Sequence, residues 1–207
     1  MRVGLYVFVG MAVGIGGVGA ALPARAEGTL SEGEEAWVAR VQGALVVPGV
    51  RESAVAVSWE PLSAGVPVLM GLGAGPNGPE VAARVALTEL AAAGLADGLK
   101  RLIARPRPYL VDPSLELPAG PEGSFAMPSG HAAVTFAGAT VLASIRPDLA
   151  PWAWSWATAV SASRVVLGVH YPSDVLAGAL LGWGTAALAA WLVPMPSQSG
   201  SGSGVRD

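Results

Sequence analysis

The chain has 207 residues, a length that suits one domain with a substantial core and argues against two. Hydrophobic residues make up 52% and charged residues 13%, against about 25% charged in typical globular proteins, and the mean hydropathy is +0.52, which favours a membrane-associated protein. The net charge of −3, without basic runs among aromatic residues, gives no support to a nucleic-acid partner, and the lack of cysteine excludes disulfides, thiol nucleophiles and thiolate metal sites.

The first 26 residues have the form of an export segment. An uncharged stretch runs from Val3 to Ala24, and Ala24-Arg25-Ala26 has the small-x-small pattern of a secretory cleavage site. The same stretch is long enough for a membrane span, which needs about 20 residues. Residues 1–26 are therefore predicted to be either a cleaved signal peptide or a first membrane helix.

The next part of the chain divides into a charged and an apolar segment. Residues 27–51 are charged and mixed, and they predict an amphipathic helix in water or at an interface. Residues 53–79 are apolar but contain four prolines, which argue against one regular membrane helix. These are Pro61, Pro67, Pro76 and Pro79.

The remainder predicts helices separated by one long loop. Residues 80–100 are rich in Ala and Leu and predict a helix that is stopped by the prolines of the sequence RPRP. Residues 109–128 are rich in proline and glycine and predict a loop. Three apolar helices are expected after it, at 132–145, 151–167 and 175–193. The Ser/Gly-rich residues 194–207 predict a disordered tail.

These elements predict an all-α fold, a bundle of about five to six mostly apolar helices over residues 27–193. Gly178 and Gly182, four residues apart in the last helix, predict close packing against a neighbouring helix. If the apolar segments cross a membrane, up to six spans result, near residues 3–24, 55–75, 80–99, 131–146, 151–168 and 174–193. A helical bundle in solution is the alternative.

Three short patches between residues 100 and 174 combine cations, histidines and small hydroxyl residues. The first has a lysine and, after six intervening residues, an Arg-Pro pair. The second is a Pro-Ser-Gly-His turn at the start of an apolar helix, and the third reads SRVVLGVHYPSD. Both histidines of the chain fall in these patches, whose candidate site residues are Lys100, Arg107, Ser129, Gly130, His131, Arg164, His170 and Asp174.

Phosphoryl transfer explains why these residue types would occur together. Charge accumulates on three phosphoryl oxygens, so a catalyst needs fixed cations and N–H donors around them. Lys100, Arg107 and Arg164 supply cations, and the guanidinium forks suit phosphate oxygens. Ser129 and the Gly130 amide lie at a predicted helix start, where unpaired N–H groups favour an anion.

Each residue alone also has an ordinary structural explanation. Ser129 and Gly130 suit a helix N-cap and turn, Asp174 suits the first turn of a helix, and Lys100 suits the last turn of one. Their joint occurrence favours a site, because both histidines and all of these cations fall in the same three patches.

Together the patches resemble the three-part signature of the type 2 phosphatidic acid phosphatase family, which also includes bacterial acid phosphatases and vanadium haloperoxidases. The resemblance covers roughly residues 80 to 193. In the family's first patch six residues separate lysine from arginine. Arg107 therefore matches, because Lys100 stands at the required position. Arg105 would need a lysine at position 98, where the chain has Gly98.

The resemblance implies a division of chemical work. His170 would attack phosphorus and form a phosphohistidine, and His131 would protonate the leaving oxygen and later activate water. Asp174 would accept a hydrogen bond from Nδ1–H of His170. The phosphate would be bound by Lys100, Arg107, Ser129, Gly130 and Arg164. No metal or other cofactor is implied.

The expected function is that of a metal-independent phosphatase acting on a phosphate monoester or diphosphate of a lipid. Phosphatidic acid, phosphatidylglycerol phosphate and isoprenyl diphosphate are the candidate substrates. The expected location is the bacterial inner membrane with the site facing the periplasm, or the periplasm itself if the export segment is cleaved. The alternatives are a soluble non-specific acid phosphatase, a vanadium-dependent haloperoxidase and a non-catalytic membrane packing protein. The sequence leaves the oligomeric state undecided.

Overall fold

The computed structural model describes residues 29–45 and 47–193, and this part of the chain is helical with no strand. The expected all-α fold is therefore confirmed. The predicted export segment 1–26 and tail 194–207 lie outside the described residues. The helices are α1 Thr29–Leu45, α2 Val50–Ser58, α3 Glu60–Leu72, α4 Gly78–Ile103, α5 Pro108–Val111, α6 Gly130–Ile145, α7 Ala150–Val166 and α8 Pro172–Leu192.

Helix α6 lies at the centre of the bundle and packs against α3, α4, α7 and α8. Its residues are mostly small and buried on all sides, with Ala137 and Ala139 fully buried in the main core. Two threonines in this apolar surrounding bond back to the preceding turn. The hydroxyl of Thr135 donates to the carbonyl of His131, and that of Thr140 donates to the carbonyl of Phe136. A helix this enclosed fixes the direction in which its first residues point.

Two glycines allow α8 to approach the first turns of α6 closely. A Cβ atom on Gly178 would lie 2.3 Å from the carbonyl oxygen of Ser129, and one on Gly182 would lie 2.3 Å from that of Ala133. Such distances are well inside van der Waals contact, so only glycine fits at either position. The predicted close packing at this pair is confirmed.

A left-handed residue ends α4 and redirects the chain. Ala104 has φ 52°, and its N–H donates to the carbonyl of Lys100 at 2.9 Å. The extended stretch that follows is tied to the end of the long loop, because the carbonyl of Arg105 accepts from the N–H of Ala126 at 2.8 Å. The two arginines after α4 are thereby brought next to the beginning of α6.

The apolar segment expected at 55–75 forms two helices, α2 and α3, which meet at 67°. Trp59 is extended between them, and Pro61 occupies the first turn of α3, where a missing N–H costs no intrahelical bond. Pro67 lies inside α3 and packs beside Gly138 of α6.

By length and composition, α8 is the one helix among the described residues that could cross a membrane by itself, and α2 with α3 could form a second, broken span. Helix α4 carries too many charges, and α6 and α7 have 16 and 17 residues against the roughly 20 that a span needs. The sequence predicted up to six spans, five of them within the described residues, so fewer helices meet this criterion of length and composition than the sequence predicted. The predicted segment 3–24 lies outside the described residues.

Candidate active site

The third patch forms a turn in which His170 folds back onto the end of α7. The carbonyl of Arg164, in the last turn of α7, accepts from the N–H groups of Val169 and His170, both at 3.2 Å. Gly168, at φ 70°, makes the reversal possible because it has no Cβ. Arg164 and His170 are both buried, and the turn ties their backbones together.

Arg107 joins the first patch to this turn. Its Nη1 donates to the carbonyl of Val169 at 3.0 Å and lies 3.4 Å from Nε2 of His170. The side chain is almost completely buried. The arginine chosen by register in the sequence thus lies against the proposed nucleophile.

The second patch meets the other two at the start of α6. Ser129 is the N-cap residue, and its hydroxyl accepts from the N–H of Ala132 at 3.4 Å. Its own N–H donates to the carbonyl of Asp174 at 2.9 Å. The ammonium of Lys100 lies 3.9 Å from the point where Gly130 would carry a Cβ, so it lies over the beginning of the helix. Ser129 therefore caps α6 and also lies beside the residues of the other two patches.

His131 follows in the first turn of α6 and contacts a residue that the sequence did not suggest. Its Nε2 lies 2.9 Å from the carbonyl oxygen of Ser58, at the end of α2. A carbonyl can only accept, so this bond requires a hydrogen on Nε2. In the neutral ring the lone pair then belongs to Nδ1, and Nδ1 is the nitrogen left for proton transfer.

Glu122, from the long loop, occupies the space between the two buried arginines. Its Oε2 accepts from Nη1 of Arg107 at 2.9 Å, and its Oε1 pairs with Nη2 of Arg164. The loop is held there by the Tyr109 hydroxyl, which donates to the Glu122 carbonyl. Burial alone would raise the pKa of the carboxyl, but the charges of Arg164 and Arg107 outweigh it and hold the pKa at about 2.

The surroundings also set the charges of Lys100 and His170. Burial and the charge of Arg107 lower the pKa of the Lys100 ammonium to about 8. Burial, with the charges of Arg107 and Lys100, lowers the pKa of His170 well below its usual value. His170 is therefore neutral at physiological pH, which leaves one ring nitrogen with a lone pair, as a nucleophile requires.

The expected hydrogen bond between His170 and Asp174 is not formed, and this corrects the sequence-based picture. Nδ1 of His170 lies 3.6 Å from Oδ2 of Asp174 and has no hydrogen-bond partner within residues 29–45 and 47–193. The carboxylate has stronger partners. Oδ2 accepts from the N–H of Tyr171 at 2.8 Å, and Oδ1 accepts from Arg105 at 2.8 Å. The two side chains face each other at the distance of an ion pair.

All eight predicted site residues thus lie at one end of the bundle, and the sequence missed three neighbours. Glu122 lies in a proline-rich loop without a recognisable pattern, Ser58 contributes only a carbonyl, and Arg105 is out of register with the family's first patch. Within the described part of the chain no cluster of three or more His, Asp or Glu residues could hold a metal ion.

Comparison with known proteins shows which class of protein this fold and site define. The sequence profile of the PAP2 superfamily matches residues 82–197, more than half of the chain. The chain therefore belongs to the PAP2 superfamily, and the resemblance seen in the three patches is confirmed.

Relatives with assigned names cover different shares of the chain. The decaprenylphosphoryl-5-phosphoribose phosphatase of Mycolicibacterium smegmatis is 35% identical over 150 residues, which are 70% of this chain and 81% of the relative. An undecaprenyl-diphosphatase of Sulfolobus acidocaldarius is 40% identical over 90 residues, 40% of this chain and 41% of the relative. Phosphatidylglycerophosphatase B of Escherichia coli K12 is 36% identical over 78 residues, 34% of this chain and 30% of the relative. The matches thus span less than half the length of the last two relatives.

A solved structure shares the fold. The transmembrane PAP2-type phosphatidylglycerolphosphate phosphatase of Bacillus subtilis superposes with a TM-score of 0.60 at 23% identity, covering 83% of this chain and 91% of that one. The arrangement of helices is therefore that of a known membrane-protein fold.

Proposed function

We propose that this protein is a phosphatase that removes a phosphate group from a lipid phosphate monoester or diphosphate through a phosphohistidine at His170. The position of Arg107 carries the proposal. Its Nη1 lies 3.4 Å from Nε2 of His170, and the same nitrogen donates to a carboxylate oxygen of Glu122 at 2.9 Å. An anion held between Arg107 and Arg164 therefore lies next to the ring that would attack it.

The proposed reaction has two steps. Nε2 of His170 attacks phosphorus, the bond to the leaving oxygen breaks, and His131, which must enter this step protonated on both ring nitrogens, donates its Nδ1 proton to that oxygen. His131 then takes a proton from water, the water oxygen attacks phosphorus, and the P–N bond breaks to release inorganic phosphate. The cations of Lys100, Arg107 and Arg164 stabilise the charge that develops on the phosphoryl oxygens in both steps.

The proposal of a lipid substrate depends on the apolar outer surface and on the named relatives, all of which act on phosphorylated lipids by their names. Large apolar side chains face outward at helical spacing along α4 and α8. They are Leu87, Leu90, Leu95, Leu102, Leu176, Leu180, Trp183, Leu188 and Trp191. A bilayer would cover such a row of exposed apolar side chains.

The test is an assay of the purified full-length protein without added metal. The panel contains phosphatidic acid, phosphatidylglycerol phosphate, an isoprenyl diphosphate and a soluble aryl phosphate. We expect turnover of at least one lipid and an acid-labile phosphoenzyme that His170→Ala abolishes. Activity on the aryl phosphate alone would indicate a non-specific acid phosphatase, and halide oxidation with vanadate would indicate a haloperoxidase. If the wild type and His170→Ala alike show no turnover and no phosphoenzyme, only the role of a membrane packing protein remains.

We also propose that the protein lies in the bacterial inner membrane with the site facing the periplasm. The export-like sequence of residues 1–26 supports this side. Because the chain has no cysteine, single cysteines report topology directly. In intact cells a membrane-impermeant maleimide should label Ser124→Cys, in the exposed loop beside the site, and not Asp148→Cys, beyond the other end of α6. The reverse pattern would refute the orientation, and recovery of activity in the soluble fraction would support a periplasmic enzyme.

A further inference from the structure

Arg105 is the arginine that the family's register leaves out, yet it lies at the centre of a polar cluster behind His170. Its Nη1 donates to Oδ1 of Asp174 at 2.8 Å and to the hydroxyl of Ser173 at 2.6 Å. Its Nη2 donates to Oε2 of Glu34 at 2.7 Å. The guanidinium carbon lies 4.0 Å from the centre of the Tyr171 ring, a cation–π contact. Four neighbours therefore define the position of this one side chain.

Glu34 belongs to α1, outside the residues that match the superfamily profile, and it links α1 to the start of α8. Its Oε1 accepts from the N–H of Ser173 at 2.9 Å, and its Oε2 accepts from the hydroxyl of the same serine at 2.9 Å. The carboxylate thus caps α8 one residue before Asp174 and pairs with Arg105 at the same time.

Asp174 is completely buried, and a buried carboxylate needs a partner to remain ionised. Arg105 is its one ion-pair partner other than His170 within the described ranges. With Oδ1 taken by Arg105, Oδ2 is left with the Tyr171 N–H and faces Nδ1 of His170 at 3.6 Å. When Nε2 attacks phosphorus, the His170 ring becomes positive, and an ionised Asp174 at this distance stabilises it.

We propose that Arg105, anchored by Glu34, is a positioning residue that keeps the Asp174 carboxylate ionised and directed at the His170 ring. This inference rests on the proposed phosphatase function. It makes α1 a part of the catalytic unit, although α1 contributes no group to the reacting centre itself.

The test compares Arg105→Met, Arg105→Lys and Glu34→Gln with the wild type on one substrate. We expect Arg105→Met to lower kcat by about 10- to 100-fold, the scale of a small misplacement of a reacting group, with KM unchanged because the phosphate-binding cations are intact. Arg105→Lys should recover part of the loss, since an ammonium can pair with Asp174 but cannot also reach Glu34 as a fork. Glu34→Gln should lower kcat less, and should have no further effect in the Arg105→Met background.

The pH profile separates positioning from a purely structural role. The charge of Arg105 favours the ionised form of Asp174, so without it Asp174 takes up a proton at a higher pH. The kcat of Arg105→Met should therefore begin to fall at a higher pH than that of the wild type, so the acid limb of its pH profile is displaced to higher pH. A structural role would reduce the folded fraction and leave the acid limb where it is.

Arg51→Met and Glu116→Gln are the matched controls, because Arg51 and Glu116 also join an N-terminal helix to a distant loop by an ion pair, at 3.0 Å on the surface. Both should retain wild-type kcat.

A folded Arg105→Met with wild-type kcat and pH profile would overturn the inference, as would a loss of kcat that follows the folded fraction alone. If Arg105→Met does not fold, wild-type kcat in both Arg105→Lys and Glu34→Gln would overturn it instead. His170→Ala, assayed alongside, tests the phosphohistidine separately, since its full activity would refute the proposed function whatever the Arg105 variants show.

Discussion

Glu122 and Arg107 are joined by a hydrogen bond of 2.9 Å in the place where the proposed reaction needs the substrate phosphate. The carboxylate is ionised at physiological pH, since its pKa is about 2. Substrate and carboxylate carry the same sign of charge and require the same donors. Binding of a phosphate must therefore displace the Glu122 side chain from the arginines.

Glu122→Gln should consequently strengthen anion binding. The amide removes a competing negative charge, and a hydrogen bond to a charged group contributes about 1.5–3 kcal/mol, so the inhibition constant of orthovanadate should fall by about tenfold or more. The measurement is competitive inhibition by orthovanadate and by inorganic phosphate at pH 7. Glu116→Gln, on the same loop but outside the site, should leave both constants unchanged. Weaker inhibition in Glu122→Gln would show that the carboxylate does not compete.

Phosphate affinity should depend on pH through Lys100. Its pKa of about 8 lies below the usual value, so the ammonium is complete at pH 6.5 and is lost as the pH rises through 8. Phosphate is already mostly doubly charged at pH 8, so its own charge changes little above that pH. Loss of the Lys100 ammonium should therefore raise the inhibition constant of phosphate between pH 7 and 9.5. Lys100→Met should bind phosphate weakly across the range. A wild-type constant that is flat over this interval would contradict the expected ionisation.

The role of His131 can be tested with leaving groups of different basicity. A general acid contributes about 10²–10⁴-fold to rate, and most when the leaving oxygen is basic. His131→Ala should therefore lose far more activity on an alkyl phosphate than on an aryl phosphate with an acidic phenol. Phosphoenzyme formation measured by rapid quench gives the comparison. Equal losses on both substrates would remove His131 from the protonation step.

The contact between α6 and α8 should be sensitive to a single methyl group. Gly182→Ala places a Cβ 2.3 Å from the carbonyl oxygen of Ala133, and overpacking of this kind costs about 1–3 kcal/mol in the free energy of unfolding. Gly184, two residues along the same helix, has no atom within 4 Å of the corresponding point. Gly184→Ala should therefore be neutral or slightly stabilising, because alanine is the better helix former. Thermal unfolding in detergent micelles compares the two, and equal melting temperatures would refute the packing argument.

The sequence predicted those features that depend on local pattern. The all-α fold follows from apolar helical runs and proline breaks, and Gly178 and Gly182 indicated their contact by spacing alone. The resemblance to the family's first patch selected Arg107 over Arg105, and the structure places Arg107 against His170.

Other features depend on the course of loops through space, which short patterns do not encode. Glu122 reaches the site because Tyr109 holds a loop with no regular structure. Arg105 took the Asp174 oxygen because the left-handed turn at Ala104 directs its side chain towards α8. Fewer helices meet the length and composition criterion for a membrane span than the sequence predicted, because hydropathy alone ignores helix length and charge count.

The bond between the Ser129 N–H and the Asp174 carbonyl is made by main-chain atoms only. No side-chain exchange at either position, other than to proline at 129, can remove it while α6 and α8 stay in contact. The reacting groups are thus carried on a frame of main-chain bonds, and residues 112–125 reach that frame through the Glu122 side chain.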